Sequence, residues 1–240
     1  MNWSSEAPMT QGKAALFDLD GTLVKTRDEY RYDVLGKVFS ELGCLPDRNA
    51  IDIFWFGRSH EGDRDQYLAE RFGINPALFF EVSKKHETVE IRRQHIEAYA
   101  DVDVLRRFKE AGYAIGVVTG ARAEIAAAEL ELVDPAHKLV DLLVIADNFT
   151  CKRKPDAEGI VRALQILNAN PARSFYIGNG DEDIAAAKAA NVLDIIVDRK
   201  ENELQLTPSH LVSSLYELPA LLRAREMMSV RSYERFRTKL

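Results

Sequence analysis

The sequence lacks the features that mark secreted, membrane-spanning and nucleic-acid-binding proteins. Its 240 residues include only two cysteines, Cys44 and Cys151, without metal-ligand spacing, and we expect reduced thiols in a reducing compartment. No segment approaches the roughly 18 apolar residues of a membrane span. Residues 1–11 are polar and show no signal-peptide core, so we expect them to be a flexible lead-in and the protein to be cytoplasmic. The net charge of −6 comes from 32 basic and 38 acidic residues with no long run of one sign. We therefore expect neither a nucleic acid nor a membrane surface as a partner, and small-molecule chemistry becomes the default expectation.

Short apolar runs recur along the chain and alternate with helical patterns. The apolar content of 46% is enough for a sizeable core in a chain of this length. Runs rich in apolar and β-branched residues predict buried strands over 13–18, 114–119, 142–146, 174–178 and 194–198. Helical patterns lie between them, over 101–111, 121–132, 156–167 and 181–190. Strands that alternate with helices predict an α/β fold with a doubly wound parallel sheet.

One long interval breaks this alternation. Between about Val24 and Tyr99 no strand signal is convincing, whereas helical spacing is found over 30–42, 63–72, 76–85 and 88–98. We therefore predict an all-helical domain, residues 25–99, inserted into a discontinuous core made of residues 12–24 and 100–240. An aromatic turn that carries a cation is predicted over 54–59; it could face the site, but its aromatic residues are expected to fill the core of this insertion. Beyond Pro208 we expect a terminal helix that packs on the domain.

Two carboxylates, separated by a single residue, follow the first predicted strand. The stretch LFDLDGT, residues 16–22, places Asp18 and Asp20 at the C-terminal end of that strand, and a period of two points both side chains the same way. Ligands of open α/β sheets bind at this edge. One carboxylate could attack a substrate while the other manages protons. The alternative is an Asx turn in which both aspartates only cap backbone amides.

Three further polar signals follow later apolar runs. Thr119 and Gly120 end one run with a hydroxyl and backbone amides that suit anionic oxygens. Lys154 lies in the cationic loop 152–156 and suits a phosphate or a carboxylate, although a single lysine in a loop is more often only solvated. The segment 178–183 is rich in the oxygen ligands that Mg²⁺ prefers, and its acids also suit the start of a helix. The sheet would bring all three signals beside the aspartate pair.

These motifs, in this order, resemble those of the haloacid-dehalogenase-type (HAD-like) hydrolase superfamily over nearly all of residues 13–198. The aspartate pair is similar to the first motif, Thr119-Gly120 to the second, Lys154-Pro155 to the third and the segment 178–183 to the fourth. The helical insertion between the first two motifs resembles the helical cap of the family. The resemblance implies a Rossmann-like core with an inserted cap, in the phosphatase branch that includes phosphoglycolate phosphatase-like proteins.

The resemblance also implies a hydrolase that cleaves the phosphomonoester of a small metabolite through an aspartyl-phosphate. Asp18 would be the nucleophile, and Asp20 would protonate the leaving oxygen and then deprotonate the attacking water. Thr119, Gly120 and Lys154 would bind the phosphoryl oxygens, since charge stabilisation carries most of phosphoryl-transfer catalysis.

The implied cofactor is Mg²⁺, held by the Asp18 carboxylate, the Asp20 backbone carbonyl, Asn179 and Asp183. The family usually has an aspartate where this chain has Asn179. A neutral amide oxygen still ligates a metal, but it supplies one negative charge less. Metal affinity is therefore the open question of this site.

The cap is expected to set specificity, with Arg58 as the candidate substrate-binding residue. Its neighbours Ser59 and His60, together with Arg64 and Tyr30, are further candidate contacts. Three alternatives to the phosphatase stay open: a sugar-phosphate phosphomutase with the same motifs, a dehalogenase, which has no need of Asp20, and a weakly active or non-catalytic binding module. The sequence indicates neither the phosphorylated substrate nor the oligomeric state.

Overall fold

The computed structural model describes residues 12–56, 64–147 and 150–224. The strands, in chain order, are β1 (Ala14–Phe17), β2 (Val24–Thr26), β3 (Ile96–Ala98), β4 (Ala114–Thr119), β5 (Leu142–Ile145), β6 (Phe175–Gly178), β7 (Leu193–Val197) and β8 (His210–Val212). The helices are α1 (Asp28–Glu41), α2 (Arg48–Phe56), α3 (Arg64–Phe72), α4 (Pro76–His86), α5 (Val89–His95), α6 (Val104–Glu110), α7 (Ala123–Val133), α8 (Glu158–Ile166) and α9 (Asp181–Ala189). None of the helices in these ranges has the length and apolarity needed to cross a membrane.

A parallel sheet forms the centre of the fold. Its strand order is β5-β4-β1-β6-β7-β8, and every neighbouring pair is parallel. β1 lies in the middle, with Phe17 beside Val117 of β4 and Ile177 of β6. This arrangement confirms the predicted doubly wound parallel sheet. Because β1 is central, the residues that follow it lie near the ends of both neighbouring strands.

Both faces of the sheet are covered, which explains why its inner strands are mostly apolar. Ala15 and Phe17 face one hydrophobic cluster, which includes side chains of α6 and α7. Ala14 and Leu16 face a second cluster on the opposite side, which includes side chains of α8 and α9. Alternate residues of one strand thus enter two different cores, as the two-residue period of a strand requires.

Helices α1 to α5 occupy the interval between β2 and β3. Their apolar side chains form a third cluster, built around Tyr30, Phe39, Phe54 and Phe79, that is separate from the two clusters of the sheet. A core of its own supports the predicted inserted domain, and its boundaries at residues 25 and 99 stay a prediction. The prediction that no strand occurs here was wrong at both ends, since β2 and β3 pair antiparallel where the chain enters and leaves the insertion. Each has only three residues, too few to show a period of two.

Two other local predictions are corrected by the structure. Residues 54–56 are not a turn but the end of α2, although Phe54 is buried in the third cluster and Trp55 packs against it, as expected for core aromatics. The segment after Pro208 is not helical at first, because His210–Val212 adds β8 to the edge of the sheet. A short 3₁₀ turn and a helical stretch over 218–224 follow. The lead-in 1–11 and the chain beyond 224 lie outside the described residues.

Candidate active site

The C-terminal edge of the central strands collects the residues that the sequence motifs single out. Asp18 directly follows β1, and its backbone N–H donates to the Ile177 carbonyl of β6 at 2.8 Å. Thr119 is the last residue of β4, and Gly178 is the last of β6. The ends of three adjacent parallel strands therefore lie at one edge, as predicted.

Lys154 is the centre of a buried ion cluster at this edge. Its Nζ lies 2.7 Å from Asp18 Oδ1 and 2.6 Å from Asp183 Oδ1, and the three side chains are at most 9% exposed. Burial raises the pKa of Asp18 to about 8; the charge of Asp183 adds to the rise, and the ammonium of Lys154 opposes it. Burial would lower the pKa of Lys154, but the two carboxylates outweigh it and raise that pKa. One ammonium is thus shared by two buried carboxylates.

Asp183 is held by donors on all sides. Its Oδ1 also accepts the Tyr176 hydroxyl at 3.1 Å, and its Oδ2 accepts the backbone N–H groups of Asn179 and Gly180 at 2.9 and 3.0 Å. A Cβ on Gly178 would lie 2.1 Å from the Asp183 carboxyl carbon, so only glycine leaves room for this side chain. Asp183 therefore closes the turn into α9 and fixes Lys154.

Asp20 stands in a tight turn between β1 and β2. The Leu19 carbonyl accepts the N–H groups of residues 22, 23 and 24, and Gly21 takes a φ of +69°, a conformation that glycine adopts without strain. The Asp20 side chain is 40% exposed. Its Oδ1 contacts both the Thr26 hydroxyl, at 3.1 Å, and Nη2 of Arg92. Asp20 is thus the accessible carboxylate of the pair, whereas Asp18 is buried.

Asn179 packs directly on the turn that carries Asp20. A Cβ on Gly21 would lie 2.0 Å from the Asn179 side-chain nitrogen and 3.4 Å from its oxygen. The amide of Asn179 therefore lies beside the backbone that follows Asp20. No hydrogen bond to the Asp20 backbone carbonyl is found among the described residues. Nor does any group of three or more His, Cys, Asp and Glu side chains in this part of the chain form a metal cluster, since one predicted ligand is an amide and another a carbonyl.

The structure describes only some of the remaining predicted site residues. Thr119 is buried, and its Oγ1 accepts the Ala121 N–H at 3.1 Å, so the hydroxyl also shapes the loop around Gly120. Arg58 lies outside the described residues, as do Ser59 and His60.

Two of the candidate contacts in the insertion are engaged elsewhere. Tyr30 is fully buried and its hydroxyl donates to Glu87 at 2.9 Å. The expectation that Tyr30 contacts the substrate is therefore not met. Arg64 donates to the Trp55 carbonyl at 2.9 Å.

Three buried residues of the site were missed by sequence reasoning. Tyr176 supports Asp183, and Arg92 of α5 contacts both Asp20 and Glu129 of α7. Glu129 could have been suspected, because it lies four residues after Ile125 and four before Val133, on the buried face of its helix. Burial raises the pKa of Glu129 to about 8, the charge of Asp20 adds to the rise, and Arg92 opposes it.

Comparison with known proteins identifies the family. The family model described as haloacid dehalogenase-like hydrolase matches residues 15–197. A putative pyrophosphatase PpaX of Clostridium perfringens (strain 13 / Type A) is 28% identical over 179 residues, 74% of this chain and 80% of that protein. A phosphoglycolate phosphatase of Aquifex aeolicus (strain VF5) is 28% identical over 182 residues, 74% of this chain and 81% of that protein.

A solved structure agrees on the fold. A mutant of CbbY from Rhodobacter sphaeroides, in complex with xylulose-1,5-bisphosphate, superposes with a TM-score of 0.69 at 21% identity, over 85% of this chain and 94% of that one. The family model spans more than half of the chain and includes the aspartate pair, Thr119, Lys154 and the segment 178–183. This chain therefore belongs to the haloacid dehalogenase-like hydrolase family.

Proposed function

We propose that this protein is a phosphatase that hydrolyses a small phosphorylated metabolite through an aspartyl-phosphate on Asp18. The observation that carries the proposal is the difference between two nearby aspartates. Asp18 is buried and bound to Lys154, as suits a fixed nucleophile, whereas Asp20 is partly exposed, as suits a proton carrier. The relatives that are named phosphatases and pyrophosphatases support this reaction class.

The proposed reaction has two displacements. In the first, an Asp18 carboxylate oxygen bonds to phosphorus, the ester P–O bond breaks, and Asp20 gives its proton to the leaving oxygen. In the second, Asp20 takes a proton from water, the water oxygen bonds to phosphorus, and the bond between phosphorus and Asp18 breaks. Lys154 and Thr119, with the amides around Gly120, bind the phosphoryl oxygens and offset the repulsion between two anions.

The oxygens beside Asp18 fit a magnesium ion. The Asp18 carboxylate, the Asp20 carbonyl and the Asn179 side-chain oxygen are hard donors, and few protein ligands suffice when water and phosphate complete the shell. Once Asp18 is ionised, the buried cluster holds two carboxylates against one ammonium, and this surplus of negative charge also favours a cation. When bound, the ion would supply positive charge against the phosphate. We assign Asp183 to holding Lys154 rather than to direct ligation, because protein donors already occupy both of its oxygens.

A metabolite screen tests the proposal. Purified protein with Mg²⁺ is assayed for release of inorganic phosphate from a panel that contains 2-phosphoglycolate, pyrophosphate, sugar phosphates and nucleotides. Asp18→Asn is the blank, and Asp33→Asn, on the exposed side of α1, is the matched control. We expect turnover by the wild type and by Asp33→Asn, none by Asp18→Asn, and a phosphoryl adduct on Asp18 in acid-quenched protein.

Three results would count against the proposal. Equal turnover by Asp18→Asn would refute the nucleophile. No turnover of any phosphate would favour a binding module, and phosphate transfer that needs a phosphorylated activator would favour a phosphomutase.

A further inference from the structure

A buried ion cluster connects the helical insertion to the proposed acid and base. Arg92 of α5 is 2% exposed, and its Nε lies 2.5 Å from Oε1 of Glu129 on α7, a side chain that is fully buried. Nη2 of the same guanidinium contacts Asp20 Oδ1. Taking an arginine and a glutamate out of water costs several kcal/mol per ion, and two apolar side chains would often fill such a site at no loss of stability. A buried pair at this position therefore calls for an explanation beyond folding.

Among the described residues, the hydrogen bonds to the Asp20 side chain are made to one of its two carboxylate oxygens. Both Arg92 Nη2 and the Thr26 hydroxyl approach Oδ1. In the described part of the chain no hydrogen bond reaches Oδ2. Two donors on one oxygen restrict the rotation of the carboxylate, and the side chain that carries the other oxygen is 40% exposed.

We propose that Arg92 is a positioning residue that directs Oδ2 of Asp20 towards the leaving oxygen of the substrate, and that Glu129 holds Arg92 in place. The inference rests on the proposed phosphatase function. The small exposure of Arg92 argues against a substrate-binding role, and its guanidinium lies 4.7 Å from the centre of the Tyr30 ring, inside the insertion. Arg92 acts through Asp20 and does not touch the substrate.

This arrangement gives the insertion a part in the chemistry. Arg92 belongs to the insertion, whereas Glu129 and Asp20 belong to the sheet and its helices. The acid is therefore correctly oriented only while α5 is docked on α7.

The dependence of the rate on the leaving group tests this role. A positioned acid matters most for poor leaving groups, because good ones depart without a proton. The probes are aryl phosphates of similar size, from p-nitrophenyl phosphate to phenyl phosphate. The quantity compared is kcat/KM, which ends with the first irreversible step and so excludes hydrolysis of the aspartyl-phosphate.

For Arg92→Met we expect kcat/KM to fall about tenfold or more with phenyl phosphate and less than about threefold with p-nitrophenyl phosphate, part of the 10²–10⁴ that a general acid typically contributes. Arg92→Lys should recover part of the loss. In an Asp20→Asn background, Arg92→Met should cost nothing further with either probe.

Two variants separate positioning from structural damage. Arg93→Met removes the Arg93–Glu131 pair, which crosses the same α5–α7 seam at the surface, and should leave the dependence on the leaving group unchanged. The double variant Arg92→Met/Glu129→Leu removes the whole buried pair and so avoids an unpaired buried carboxylate. It should be folded and should still show the selective loss.

The outcomes distinguish this inference from the proposed function. If the wild type cleaves neither probe and no phosphate in the metabolite panel, the proposed function is overturned and the role of Arg92 with it. If the wild type is active and the folded Arg92 variants lose equally with both probes, or lose nothing, only the positioning role is overturned. A further loss from Arg92→Met in the Asp20→Asn background would likewise refute action through Asp20.

Discussion

The buried ammonium of Lys154 should hold the site together as well as bind phosphate. Its Nζ is the shared partner of Asp18 and Asp183, at 2.7 and 2.6 Å, and the lysine side chain is only 5% exposed. Lys154→Met keeps the length and apolar stem of the side chain but removes the charge. The two carboxylates would then face each other in a buried site without a cation between them.

The cost can be worked from these distances. When both carboxyl groups are ionised, each contact corresponds to about 6 kcal/mol of Coulomb attraction at an effective dielectric constant of about 20. Most of this offsets the desolvation of three ions, and removing one partner of such a buried group typically costs about 3–5 kcal/mol. For a chain of this size that loss lowers Tm by about 6–20 °C. Lys154→Met should therefore be much less stable than the wild type, besides being inactive.

Urea unfolding in a chelating buffer measures this loss, since no divalent cation can then replace the missing ammonium. Lys25→Met is the matched control, because Lys25 pairs with Glu97 at 3.8 Å with both side chains about half exposed, and such surface pairs are worth about 0–1 kcal/mol. Adding Asp183→Asn to Lys154→Met should recover part of the loss by removing one of the facing charges. If Lys154→Met costs no more than the control, Lys154 does not neutralise the cluster and the reasoning fails.

Two further predictions concern acid stability and metal affinity. Burial disfavours the charged form of Asp101, but the ion pair with Arg199 and the hydrogen bonds from Ser214 and Leu215 outweigh it and lower the pKa of Asp101. Its contribution to stability is therefore present above the unfolded pKa of about 4 and lost as pH falls through the lower folded pKa. Asp101→Asn should cost about 3 kcal/mol at neutral pH, with the difference shrinking below about pH 4 in urea unfolding. Asn179→Asp should bind Mg²⁺ about tenfold more tightly in titration calorimetry, because it adds a negative charge beside Asp18, whereas equal affinity would show that Asn179 is not a ligand.

The sheet could be predicted because its strands are buried on both faces. The runs 14–17 and 114–118 contain no polar side chain, and the next residue of each, Asp18 or Thr119, is polar and lies where the edge of the sheet begins. Burial on two sides leaves this pattern in the sequence whatever the neighbouring elements are. The same reasoning predicts that Asp18, Lys154 and Asp183 lie at one edge of the sheet. In the structure Lys154 is in direct contact with both aspartates there. Their roles in catalysis stay a prediction.

The missed parts of the site depend on tertiary packing. Arg92 and Arg93 are adjacent in α5, yet Arg92 is buried beside Asp20 whereas Arg93 is 54% exposed. The docking of α5 on α7 decides which of the two arginines meets the site, and no local pattern records it. α2 is hidden for a different reason, because Gly57 follows its aromatic residues in the sequence and favours the prediction of a turn.

The two aspartates of the first motif are supported in the same manner but from different parts of the chain. Asp18 shares the ammonium of Lys154 with Asp183, and Asp20 shares the guanidinium of Arg92 with Glu129. In each case one buried cation lies between a proposed reacting carboxylate and a second carboxylate that holds the cation. The cation beside Asp18 comes from the core itself, so the nucleophile is in place whatever the insertion does. The cation beside Asp20 comes from the insertion, so a displacement of α5 would release the acid while leaving the nucleophile in position.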